Sequence, residues 1–150
     1  MTVKICPEAF NPWQEIQDYQ NTELRKSAKF GATSIFIGTM RDYNEGATVQ
    51  SMTLAHYPGM TERQLEKTIA DAGHRWQIMD AYIIHRVGEI QPDETIVLVA
   101  VWSAHRGDAF DASRFIMEAL KSTAPFWKKE LLASGETRWV EKNTDGYKIN

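Results

Sequence analysis

Apolar residues recur at helical intervals in some stretches and alternate or run continuously in others, and this division predicts the elements. Leu65, Ile69, Ala72 and Trp76 fall at helical spacing, which buries one face of a helix. Pro58-Gly59 breaks the chain ahead of it, and Thr61-Glu62-Arg63-Gln64 reads as a capping box in which Thr61 and Gln64 satisfy the first free amides. A polar, mostly helical stretch runs from Asn11 to about Lys26, with Asn11 as cap and Pro12 in the first turn. A third helix runs from Gly107-Asp108 to about Lys121, with Phe110, Met117 and Leu120 near one stripe and Arg114 with Lys121 near another. Pro125 marks where it cannot continue.

Strand patterns fill the intervals. A short strand opens the chain, and Phe30–Met40 and Ala47–Tyr57 follow, with Arg41 to Gly46 between them as a hairpin loop. Ala81–Ile90 and Thr95–Ser103 form a second hairpin around Gln91-Pro92-Asp93-Glu94. Within it, Ile96 to Trp102 is apolar on both faces, the mark of a central strand covered on both sides. Trp139 to Lys142 gives a last short strand, and Asn143 to Asn150 reads as a loose tail. Neighbouring strand pairs with interspersed helices predict a single α+β domain on a mainly antiparallel sheet with flanking helices.

Composition narrows the function. A chain of 150 residues, 43% hydrophobic and 25% charged, suits one globular domain over residues 1–150. No apolar run reaches the roughly 20 residues of a membrane span, and no signal-peptide core is present, so a cytoplasmic protein without a membrane partner is expected. The lone cysteine, Cys6, excludes an internal disulfide and any multi-cysteine metal site. A net charge of −3 argues against nucleic acid as a partner.

Against that acidic total, basic residues gather in a few places, a pattern suited to an anionic ligand. Lys121 and Lys128 flank Pro125, Phe126 and Trp127. A turn at the proline brings both ammonium groups to one pocket, where apolar rings depress a lysine pKa and suit it to proton transfer. Favourable charge at a helix end for Lys121 and a solvated surface for Lys128 and Lys129 explain the same spacing. His105 and Arg106 sit where the buried strand meets the third helix, a junction able to face an anion, although a surface ion pair and a turn cap fit equally. Arg41, at a strand end, has the planar fork for phosphate or is a solvated loop residue. His74-Arg75 falls near a helix end, and His85-Arg86 lies in a strand with its side chains on opposite faces, so neither is a convergent pair. Walker, dinucleotide, HExxH and CxxC patterns are missing, and Ser103 with His105 lacks the elbow of a serine hydrolase.

Several separated blocks in order carry a resemblance: Phe36-Ile37-Gly38-Thr39-Met40-Arg41, His56-Tyr57-Pro58-Gly59-Met60, His85-Arg86-Val87-Gly88-Glu89, Ser103-Ala104-His105-Arg106, Leu120-Lys121, Ala124 to Glu130, and Arg138-Trp139-Val140. Together, over about residues 30 to 141, they resemble the catalytic large subunit family of molybdopterin synthase, with Met40 where valine is more usual. The resemblance implies an α/β-hammerhead type of α+β fold and a homodimer within a heterotetramer. A small ubiquitin-like sulfur-carrier subunit would sit at each end. Its C-terminal thiocarboxylate would donate sulfur to cyclic pyranopterin monophosphate, in two transfers that form the dithiolene of molybdopterin, with no cofactor or metal supplied by the protein. It further implies Lys121 and Lys128 as catalytic residues, and Thr39, Met40, Arg41, His105, Arg106, Lys129 and Glu130 as substrate-binding, with His105 and Arg106 serving the lysines of the other copy. A non-catalytic module binding an acidic metabolite or a partner's C-terminal tail is the alternative.

Overall fold

A computed structural model of the chain describes residues 1–25 and 28–141. The expected loose tail, Asn143 to Asn150, and the expected end of the first helix at Lys26 fall outside the described residues. One sheet has the order β1-β5-β7-β2, built from β1 (Thr2–Cys6), β2 (Ala32–Thr39), β5 (Ile78–Arg86) and β7 (Thr95–Ser103). β1 runs parallel to β5, and the other pairs are antiparallel. β7 lies inside the sheet and is buried on both faces, as its unbroken apolar run predicts.

The two faces of this sheet are covered by different helices. Val97, Val99 and Val101 of β7, with Ala81 and Ile83 of β5, pack against α2 (Met60–Arg75) and α3 (Arg106–Ser122). Leu98, Ala100 and Trp102, with Tyr82 and Ile84, pack against Ile16 and Tyr19 of α1 (Pro12–Thr22). The period of two along each strand thus sorts its side chains between two cores. At the start of α1 the Asn11 side chain accepts hydrogen bonds from the Trp13 and Gln14 amides at 3.0 and 3.2 Å. Asn11→Ala should therefore cost about 1 kcal/mol, read as a lower denaturation midpoint with an unchanged slope.

A second sheet, order β3-β4-β8-β9, comprises β3 (Tyr43–Asn44), β4 (Ala47–His56), β8 (Phe126–Leu132) and β9 (Thr137–Val140). β6 (Gly88–Ile90) pairs with the edge of β4 away from β8. Gly88 sits at φ +82°, a left-handed conformation open to glycine, and there the chain leaves one sheet for the other.

Three expectations are corrected. β2 pairs with β7, not with β4, and the hairpin at residues 41–46 is the smaller one of β3 with β4. Glu62, not Gln64, caps α2, its carboxylate accepting the Gly59 amide at 2.6 Å. Thr61 is fully buried, accepts the Tyr57 amide and donates to the Pro125 carbonyl, so it ties α2 to the bend after α3. On α3, Met117 and Leu120 are buried with Ala109, Ala112 and Ile116, but Phe110 remains 63% exposed.

Candidate functional site

Pro125 stops α3 and the chain turns back as β8, so consecutive elements deliver Lys121 and Lys128 to one place. On β8 the period of two sends Phe126, Lys128 and Glu130 inward and Trp127 and Lys129 outward. Lys129, expected in the site, instead lies over the Trp139 ring at 5.7 Å from its centroid.

Two cavities meet at the lysine pair, which lines both. One, of about 240 Å³, is walled by Thr39, Met40, Arg41, Asn44 and Glu130, mostly polar groups. The other, of about 360 Å³, is walled by Leu54, Val97, Met117, Leu120, Phe126 and Trp127, with His85 and Glu141 as further polar groups. The structure thus gathers Thr39, Met40, Arg41, Glu130, Lys121 and Lys128 around the first cavity. Glu130 is buried; it accepts from the Asn44 side-chain amide at 2.6 Å and pairs with Arg138 at 3.4 Å. Its carboxylate therefore fixes the wall more than it faces a ligand.

Electrostatics separate the two lysines. Burial, then the charge of Lys121, pushes the Lys128 pKa down to about 8, while the Glu130 carboxylate pulls the other way. Lys121 keeps solvent contact, yet loss of water around its ammonium lowers its pKa as well. A hydrogen bond between the two side chains raises Lys121 and lowers Lys128. An ammonium has no lone pair, so Lys128 can accept that bond from Lys121 only once its own proton has left, at about pH 8. Lys128 gives up its proton first.

His85 was missed as a site residue because a strand histidine beside an arginine shows no convergence in sequence. It stacks on Phe126 with ring centroids 3.9 Å apart and lines the apolar cavity next to both lysines. Arg86 turns to the other face and bonds Glu94 and the Glu89 carbonyl. His105 and Arg106 are exposed at the start of α3, about 24 Å along the helix from Lys121 at about 1.5 Å of rise per residue. Within one chain they do not reach the cavities. Ser103 is fully buried, donates to the Gln77 carbonyl and accepts the His105 amide, which leaves no free hydroxyl for nucleophilic chemistry.

The profile of the MoaE protein family matches residues 10–123. The chain belongs to the MoaE family. A molybdopterin synthase catalytic subunit from Ralstonia nicotianae is 56% identical over 113 residues, which are 75% of this chain and 64% of that protein. One of the same name from Pseudomonas aeruginosa is 47% identical over 141 residues, covering 94% and 91% of the two chains. The solved molybdopterin biosynthesis MoaE protein from Burkholderia ambifaria has a TM-score of 0.78 at 45% identity, over 97% of this chain and 92% of that one. A complex of subunits 1 and 2 of the molybdopterin-converting factor from Helicobacter pylori matches with a TM-score of 0.77, over 95% and 92% of the chains. At 20% identity that likeness is one of fold. The MoaE fold thus accounts for the α+β architecture, and the lysine pair lies at its seam between sheets.

Proposed function

We infer that this chain is the catalytic subunit of a molybdopterin synthase, a sulfurtransferase acting on cyclic pyranopterin monophosphate. The observation that carries it is the Lys121–Lys128 pair, depressed in pKa, where a polar cavity opens into an apolar one. A phosphate-bearing pterin suits the polar side, where Arg41 offers charge-assisted bonds. An extended C-terminal tail ending in a thiocarboxylate suits the apolar side. The thiocarboxylate sulfur attacks a substrate carbon in place of a carbon–oxygen bond there, and water then cleaves the acyl–sulfur bond, so that sulfur stays on the pterin and the carrier leaves as its carboxylate. Lys128, which loses its proton at about pH 8, transfers protons, and Lys121 as an ammonium stabilises the negative charge that develops.

The partners follow from this reading. A small ubiquitin-like carrier subunit supplies the tail, in keeping with relatives named as subunits. A homodimer is supported by Ile35 and Phe36 on the outer strand β2 and Phe110 on α3, all exposed apolar groups. His105 and Arg106, remote from their own lysines, complete the phosphate site of the other copy. The whole domain serves this one task, in the cytoplasm, where the thiol of Cys6 stays reduced. Among the described residues, no helix is long and apolar enough to cross a membrane.

The test is incubation with thiocarboxylated carrier and cyclic pyranopterin monophosphate, followed by detection of the dithiolene. Product is expected, and binding without product would leave only the module for an acidic ligand. In the same assay Arg41→Ala and Arg106→Ala should each raise KM for the pterin about tenfold or more, as expected for loss of a charge-assisted bond worth about 1.5–3 kcal/mol. An unchanged KM would remove that arginine from the phosphate site.

A further inference from the structure

His85 is a buried titratable group beside the lysine pair to which the chemistry above gives no task. Its Nδ1 lies 2.8 Å from the Arg86 carbonyl oxygen. A carbonyl only accepts, so Nδ1 carries the proton and Nε2 of the neutral ring is a lone pair. With Nδ1 committed to the backbone and one ring face against Phe126, Nε2 is what the imidazole can offer to the cavity it lines with Lys121 and Lys128.

We propose that His85 is a positioning residue of the lysine pair, its neutral imidazole presenting Nε2 as hydrogen-bond acceptor to the pair's ammonium. The ring fits the task because it accepts without adding charge. Around it stand Lys121 from α3, Lys128 from β8 and His56 from β4, all of which oppose a proton on the ring. The Arg86 guanidinium, next along β5, is drawn away by Glu94 and the Glu89 carbonyl. Burial first, and these neighbours after it, hold the His85 pKa down to about 4, so the ring stays neutral wherever the enzyme works. A carboxylate at this place would pair with a lysine and hold it charged. An apolar residue would take one acceptor away from the pair.

The role rests on the catalytic reading of the pair, and titration tests it without turnover. In protein labelled with 13C-lysine, the Lys128 resonance, assigned by its loss in Lys128→Arg, is followed against pH. His85→Phe keeps an aromatic ring on Phe126 and removes the acceptor, so the Lys128 midpoint should fall by about one pH unit. His85→Gln places an oxygen near the Nε2 position and should restore most of the midpoint while losing the ring stack. A midpoint unmoved in His85→Phe, with only a lower melting temperature, would reduce His85 to packing and overturn the proposal. If His85→Phe does not fold, 15N-histidine spectra of the unmodified ring decide instead. Nδ1 should be the protonated nitrogen from pH 6 to 9, and the Nε2 resonance should move in Lys121→Ala or Lys128→Ala. An Nε2 signal indifferent to both lysines would equally overturn it. Shifted titrations with undiminished sulfur transfer in Lys128→Ala would keep the His85 contact and discard the catalytic reading instead.

Discussion

Lys128→Ala should lower the rate of dithiolene formation by about 10²- to 10⁴-fold, the range for loss of a positioned proton-transfer group. Its fold should survive. In the folded protein the Lys128 pKa lies near 8 against an ordinary value of 10.5, so between those values the unfolded chain binds more protons than the folded one. Stability therefore rises as pH climbs through that window, and below about 8 the lysine carries its full unfavourable contribution. Removing it at pH 7 relieves a poorly hydrated ammonium beside another, and the melting temperature should stay level or rise, the common trade of stability for activity. Lys128→Arg is the sharper variant, because a guanidinium keeps the charge but does not release its proton. It should be as inactive as Lys128→Ala. The wild-type rate should climb with pH through about 8 and decline at higher pH as Lys121 loses its charge. A level profile between pH 7 and 9 would remove Lys128 as the base, and a fall there would assign the ammonium as its working form. Lys121→Ala should also lower the rate strongly, and the climb in its residual activity should move to higher pH, because the Lys121 charge that helps depress Lys128 is gone.

The second large effect is on stability. Trp102→Ala should destabilise the chain by about 3–5 kcal/mol, the range for emptying a large aromatic site in a core. Trp102 is fully buried, stacks on Tyr19 with centroids 5.3 Å apart and donates its indole N–H to Gln20 at 3.2 Å. The variant loses the packing of α1 on the sheet and leaves the Gln20 side chain without its donor. For a chain of this size the melting temperature should drop by roughly 10 °C. Trp102 faces α1, whereas the lysines lie on the α2 and α3 side, so the part of the variant that folds at low temperature should turn over normally. Melting unchanged within about 2 °C would contradict the placement of this ring, given the expected 2–4 °C per kcal/mol.

The elements that could be read from the chain were those whose apolar residues keep one period. β7 announced itself by seven consecutive apolar residues, and α2 by Leu65, Ile69 and Ala72. β8 did not, because its inward positions face the site: Lys128 and Glu130 stand where a core strand would carry apolar groups, and the alternation vanishes. Proximity in sequence misled at residues 32–56, where a short β3 intervenes and sends β4 to a different sheet. Phe110 shares a helical stripe with Met117, but periodicity does not tell how far along the stripe the cover extends. For the site, the proline and rings flanking the two lysines fitted a shared pocket and a solvated helix end equally, and the family resemblance rather than the spacing singled the pair out. The neighbourhood of His85 was not legible, since it depends on Phe126 arriving from β8, a strand the pattern concealed. The distance from His105 and Arg106 to Lys121 was implicit in helix length alone, and it keeps them from the lysines of their own chain.

The crossing at Gly88 has a mechanical side. Residues 78–90 form one ribbon that is stitched into the first sheet as β5 and into the second as β6, directly beneath the seam that holds both lysines. A guest wedged into that seam pulls against covalent backbone and two ladders at once. The gap should consequently keep a set width, and admission should depend on swings of Trp127 and other rim side chains, with the sheets acting as fixed jaws.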